Sequence, residues 1–279
     1  MANYHSDEWI MKRVEEHYAE ALQYFEEDRI VGIFLQGSQN YGLDYPGSDI
    51  DTKLIVLPSL DDIIFNKKPV STTHVRENNE HIDFKDLRLY IQTFRKQNLN
   101  FLEILFTPYK KINPIYADMW EKLVLHREEI ARYDLAQAIK SMRGIAKEKY
   151  FAMEHEYPSK MDILAKYGYD PKQLHHLLRV GNYLGRYIRG ESYESCLKPI
   201  DAEYLLDVKQ GLYNLEDARK LADKTIASID KMCDNFLETY DPAHFEYSKF
   251  RTDTLLNEVQ SEIMTLCVAI ELEEREYYH

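Results

Sequence analysis

Apolar residues recur at helical spacing near the start of the chain. Trp9, Ile10, Val14, Tyr18, Leu22 and Phe25 form one stripe, which predicts an amphipathic helix over about 7–25. The period then shortens. Ile30-Val31-Gly32-Ile33-Phe34-Leu35 is a compact, β-branched-rich run that stops at Gly37, and it reads as a buried strand. A second strand is expected from Ile50 to Leu57, ended by Pro58 and followed by a helix that Ser59 caps. His81-Ile82-Asp83-Phe84 reads as a third strand. It runs into a helix over about 86–96 with Leu87, Tyr90, Ile91 and Phe94 on one face.

After Pro108 and Pro114 the pattern changes to long helical periods. Helices are expected near 116–127, 131–154, 171–189, 201–208, 214–239 and 253–274. The expected fold is α+β: a small mixed sheet flanked by helices over 1–112, then an all-helical region over 113–279. No internal repeat or low-complexity stretch points to a solenoid.

Composition narrows the class. Of 279 residues, 44% are hydrophobic, and no apolar run reaches the roughly 20 residues that span a bilayer. The first residues lack a basic stretch followed by an apolar one, so no secretory signal is read. Cys196, Cys233 and Cys267 are too widely and irregularly spaced for a disulfide framework or a CxxC zinc site. A soluble, cytoplasmic protein with no membrane partner is expected.

The net charge of -13 hides an asymmetry. Residues 140–189 carry ten Lys+Arg against five Asp+Glu, a net of +5, whereas 201–279 carry eight against eighteen, a net of -10. An acidic chain is a poor non-specific duplex binder. The local basic segment keeps a phosphorylated or nucleic-acid substrate in view.

The strongest chemical signal is Leu35-Gln36-Gly37-Ser38-Gln39-Asn40-Tyr41-Gly42, then Pro46-Gly47-Ser48-Asp49-Ile50-Asp51. Asp49 and Asp51, two apart at the opening of a strand, point the same way. Their mutual repulsion is relieved by a cation, and an all-oxygen ligand set without nearby Cys or His favours Mg²⁺ (or Mn²⁺) over zinc. Gly37 lets backbone approach a phosphate, and Ser38, expected at a helix start, offers a hydroxyl and free N–H groups. Asp83, charged between apolar neighbours, is the expected third carboxylate of a two-metal phosphoryl-transfer site. Tyr41, inside the loop, is a candidate for nucleotide contact.

These residues resemble the DNA polymerase β-like nucleotidyltransferase superfamily: Gly37-Ser38, ten residues, Asp49-Ile50-Asp51, and Asp83 on a later strand. The segments Asp83-Phe84-Lys85-Asp86-Leu87-Arg88, Asn98 to Phe106, and Tyr169 to Arg179 are similar to predicted bacterial and phage nucleotidyltransferases, some encoded beside RNA ligases. The resemblance implies that Asp49 and Asp51 hold two metal ions and that Asp83 holds the one beside the attacking hydroxyl. It also implies that Gly37 and Ser38 grip the β- and γ-phosphates of an NTP. A further cation from the helical part is implied, with Lys147, Lys149, Lys166, Lys172 and Arg179 as candidates. The acceptor hydroxyl could belong to an RNA end, a protein or a small molecule.

Plainer readings stand beside these. Gly-Ser is common in turns, and a helix cap at Asp86 could account for acidity near Asp83. Lys172, His175 and Arg179 share a helical face that could meet a phosphate, yet His175 could equally be a satisfied core residue, as His176 is read to be. A catalytically inactive nucleotide sensor or antitoxin-like partner is the competing function. The retained, mutually repelling carboxylates argue against it.

Overall fold

The computed structural model describes residues 3–277, which group into two compact units. The first comprises 3–40, 44–133 and 245–277. Its first helix, α1 (Asp7–Ala21), starts at Ser6, whose hydroxyl accepts the Trp9 amide, and carries Asp7 and Glu8 in the first turn, where the helix dipole favours them. Strands β1 (Ile30–Gln36), β2 (Asp51–Val56), β3 (Ser71–Val75), β4 (His81–Asp86) and β5 (Lys110–Ile112) form one sheet in the order β3-β4-β2-β1-β5. Only β2 and β4 run parallel; the other neighbours are antiparallel. Short α2 (Leu60–Ile64) links β2 to the hairpin of β3 and β4.

Alternation along the strands separates two faces. Ile33, Leu35, Leu54, Val56, Ile82 and Phe84 join the buried stripe of α1 in one apolar core. The opposite face carries the charge. Phe34 stands opposite Lys53, Lys53 opposite Asp83, and Asp83 opposite Thr73, a single row across four strands. Helices α3 (Leu87–Arg95), α4 (Leu99–Leu102), α5 (Ala117–Leu125) and α6 (Arg127–Ala131) complete this stretch. On the Phe34 face, Trp120 of α5 meets the Phe34 ring at 4.7 Å between centroids.

The second unit comprises residues 41–43 and 134–244. It holds α7 (Leu135–Ala152), α8 (Met161–Tyr167), α9 (Pro171–Ile188), α10 (Tyr193–Leu197), α11 (Ala202–Lys209) and α12 (Leu215–Thr239). Helix α9 is its centre, packed on α7, α10, α11 and α12. Leu174, Leu177, Val180, Tyr183, Leu184 and Tyr187 bury its apolar stripe. Pro171 at its first turn and Asp170 as N-cap, accepting the Lys172 amide, fix its start.

The last helix, α13 (Glu246–Tyr277), belongs to the sheet unit. Its buried residues Thr252, Leu256, Val259, Ile263 and Cys267 recur at three- and four-residue steps. Arg95 donates to Asp253 at 2.7 Å, and Lys122 pairs with Glu262 at 2.6 Å. The grouping therefore differs from a division at 112/113. Residues 113–133 and 245–277 are helical but pack with the strands, because an apolar stripe is buried wherever a matching face exists, not only beside its sequence neighbours.

The α+β class stands, and individual elements shift. Two strands went unread. β3, Ser-Thr-Thr-His-Val, is an edge strand exposed at four of its five positions, so it has no apolar alternation to signal it. β5 has three residues, two of them Lys. The helix expected over 131–154 begins only at Leu135 as α7, because the Asp134 side chain accepts the Gln137 amide and caps a new helix, and short α6 lies before it. Among the described residues, no helix is long and apolar enough to cross a membrane.

Candidate active site

The Gly-Ser turn leaves β1 as expected, but no α-helix follows. Ser38–Asn40 is a three-residue 3₁₀ turn, and the chain stays irregular until β2 begins at Asp51. The phosphate site inferred from a helix start is thus reduced to the turn itself. Gly37 has φ +113°, open to glycine and strained for any other residue. Its amide donates to the buried Glu103 carboxylate at 3.1 Å. The turn is braced from both sides: Gln39 donates to the Asp49 carbonyl at 2.8 Å, and Asn40 donates to the Leu35 carbonyl at 3.1 Å. The Ser38 hydroxyl donates to the Gln39 side-chain oxygen at 3.4 Å.

Asp49 is exposed in the loop, and Asp51 is half-buried at the first position of β2. Burial and then the Asp49 charge push the Asp51 carboxyl above its usual range, with His81 acting the other way. The Asp49 charge thus reaches the Asp51 carboxyl. His81, at the start of β4, holds Asp51 through its backbone amide and its ring Nδ1, both at 3.0 Å.

Asp83 lies on the same sheet face but is engaged elsewhere. Lys53 Nζ sits 2.8 Å from one carboxylate oxygen, and the Thr73 hydroxyl donates to the other at 2.5 Å. Burial pushes this carboxyl up, but Lys53, Thr73 and Lys85 outweigh it and hold it below the usual range. Among the described residues, no three of His, Cys, Asp and Glu group closely enough to hold a metal. The donor set fits a cation at Asp49 and Asp51 and does not fit one that also includes Asp83. Asp86 is the N-cap of α3, accepting the Arg88 amide at 2.8 Å.

The remaining candidates lie in the helical unit. The Arg179 guanidinium stacks 4.2 Å over the Tyr41 ring, and both residues are buried. His175 is buried and bonded to the Leu205 carbonyl at 2.8 Å, and burial pushes its pKa down to about 3, so it is a neutral core residue. Burial also holds His176 well below its usual value. The basic segment is less basic in space than in sequence. Arg143 pairs with Asp230 and Asp234, Lys147 with Asp230, Lys160 with Asp170, and Arg186 with Glu191. Lys172 is exposed at the start of α9.

Lys53, His81 and Glu103 escaped the sequence reading. Each carries a signal in retrospect: Lys53 is a lone charge in a buried strand, and Glu103 interrupts the apolar run Phe101-Leu102-Glu103-Ile104-Leu105. His81 stands two residues before Asp83, on its face.

A Gly-Ser turn braced on the loop before an Asp-x-Asp strand, on a mixed sheet, is the arrangement that the resemblance to polymerase β-like nucleotidyltransferases implies. Residues 14–231 match the profile of the RNA repair pathway DNA polymerase beta family (RlaP), and the chain belongs to that family. No curated protein matches it. A crystal structure of a nucleotidyltransferase-like protein from Exiguobacterium sibiricum is 11% identical, covering 91% of this chain and 80% of the other, with a TM-score of 0.29, too low to support an argument.

Proposed function

We propose that the protein transfers a nucleoside monophosphate from an NTP to a hydroxyl acceptor, with pyrophosphate leaving, and that it needs Mg²⁺ or Mn²⁺. The observation that carries this reading is the register that sets Gln36, just before the Gly37-Ser38 turn, opposite Asp51 at the head of β2, in a chain of this family. Asp49 and Asp51 would hold the cation, whose chemistry is to neutralise phosphate charge and lower the pKa of a bound hydroxyl. The Gly37 turn admits the phosphates closely, and the Ser38 hydroxyl donates to them. Tyr41, Lys172 and Arg179 are proposed to contact the nucleotide, and the helices after 134 to select the acceptor. An RNA end is the preferred acceptor, on the strength of the family to which the chain belongs.

The test incubates the full chain with each labelled NTP, Mg²⁺ or Mn²⁺, and a mixture of tRNA, small RNAs and protein. Label is expected in the RNA fraction, absent with Asp51→Ala. Label in the protein fraction moves the acceptor. No transfer from any NTP, together with metal-independent nucleotide binding, identifies a sensor.

A further inference from the structure

The register of the sheet decides which charges meet. Lys53 on β2 and Asp83 on β4 are directly opposite on parallel neighbours, so their side chains leave the sheet together. Lys53 is 3% exposed. Its ammonium lies 2.8 Å from Asp83 and 4.3 Å from the Phe101 ring centroid, so carboxylate and ring compensate its charge together. The second Asp83 oxygen accepts the Thr73 hydroxyl from the next strand. Phe101 carries another cation, Lys85, at 4.7 Å.

We propose that the Lys53 ammonium fills the position a second divalent cation would need, so that the site takes one metal ion per bound nucleotide and Asp83 serves as the partner of Lys53 rather than as a ligand. This rests on the nucleotidyl-transfer reading above. Each Asp83 oxygen already accepts one of these donors, so a divalent ion there would either displace Lys53 or share the carboxylate with it. The displaced ammonium, tethered by its strand and nearly enclosed, would lose its carboxylate without reaching water, the costly state for a buried charge. A divalent ion arriving while Lys53 stays would meet a like charge at ion-pair range. Asp49 and Asp51 lie outside this pair, since Asp51 is held by His81 instead. The expected three-carboxylate, two-ion arrangement becomes a two-carboxylate, one-ion arrangement with a built-in cation.

Bound Mn²⁺ is counted by electron paramagnetic resonance on the full chain saturated with an α,β-methylene NTP analogue. One ion per nucleotide is expected for the parent and for Asp83→Asn. Lys53→Ala is expected to gain a second, weaker ion, which Lys53→Ala/Asp83→Asn loses again. Two ions on the parent, falling to one in Asp83→Asn, would overturn the proposal while leaving nucleotidyl transfer intact. A count of one in a folded Lys53→Ala would overturn exclusion by the lysine. If Lys53→Ala does not fold, the parent and Asp83→Asn decide the matter between them. No metal-dependent binding of the analogue to the parent overturns the nucleotidyl-transfer reading, and this inference with it.

Discussion

The two units handle charge in opposite ways. The sheet unit buries it: Lys53 against Asp83, Glu103 against the Gly37 amide, and Glu80 among Arg13, His17 and Arg76. The helical unit keeps most of its ion pairs more open, as in Arg219 with Glu154 and Lys220 with Glu216, and buries His175 in neutral form. Burying charge is costly unless every group is matched, so a fold retains it where a fixed polar arrangement is useful. The sheet unit is therefore where the proposed chemistry is placed. The helical unit is held by the apolar stripes of α7, α9, α11 and α12.

The largest effect should come from the exposed end of the charged face. Asp51→Asn is expected to lower NTP-dependent transfer by about 1,000-fold, ~4 kcal/mol of barrier, with the melting temperature little changed. Transfer at the parental rate would break the assignment of chemistry to this face.

Next comes the network behind it. His17, fully buried, bonds Thr52 and Glu80, both at 2.9 Å, tying α1 to β2 and to the turn before β4. Glu80→Gln removes one carboxylate from two guanidinium groups, leaving Arg13 with Glu16 and Arg76 with Glu20, and should cost about 2 kcal/mol in urea unfolding. Burial pushes the Glu80 carboxyl up, but His17, Asn78 and Arg13 hold it far below its ordinary 4.5. Its contribution is full above pH 4.5 and is lost as the pH falls towards the folded value, a dependence that Glu80→Gln should flatten.

Gly37→Ala puts a Cβ at φ +113°, and should destabilise the turn by about 2 kcal/mol. The added Cβ itself meets only Gln39, at 3.9 Å, so the penalty is in the backbone and not a clash. Weaker NTP binding without unfolding, by calorimetry and circular dichroism, is the expected pattern.

The helical unit should respond to acid at higher pH. Burial depresses His175 from 6.5 to about 3, so the unfolded chain takes up a proton that the folded one refuses. Stability is full above pH 6.5 and should fall below it by about 1.4 kcal/mol per pH unit for each of His175 and His176, a slope that His175→Gln should roughly halve. An unchanged slope would mean that the two units do not differ in this way.

The smallest effect is expected at Arg143. Although it pairs with Asp230 and Asp234, the groups are partly exposed, and Arg143→Ala should cost about 0.5 kcal/mol in thermal unfolding. A loss as large as that at Glu80 would erase the contrast between the units.

Much of this protein was legible in its sequence. The stripe of α1, the runs of β1 and β2 and the Gly37-Ser38 turn are local patterns, set by alternation, helical period and the freedom of glycine, and each is found near its expected place. The edge strand β3 was not legible, because a strand bathed in water needs no apolar alternation. Sequence alone supplied the first candidates for chemistry and the strands β1, β2 and β4 that carry or adjoin them. Only the tertiary structure decided their partners. Asp83 meets Lys53 and not the Asp49/Asp51 pair because the register of β2 on β4 is a long-range choice. The basic segment 140–189 is partly neutralised by acids of α12 because helix packing brings them there. Charges act through space, and distance in space is the one quantity that order along the chain does not contain.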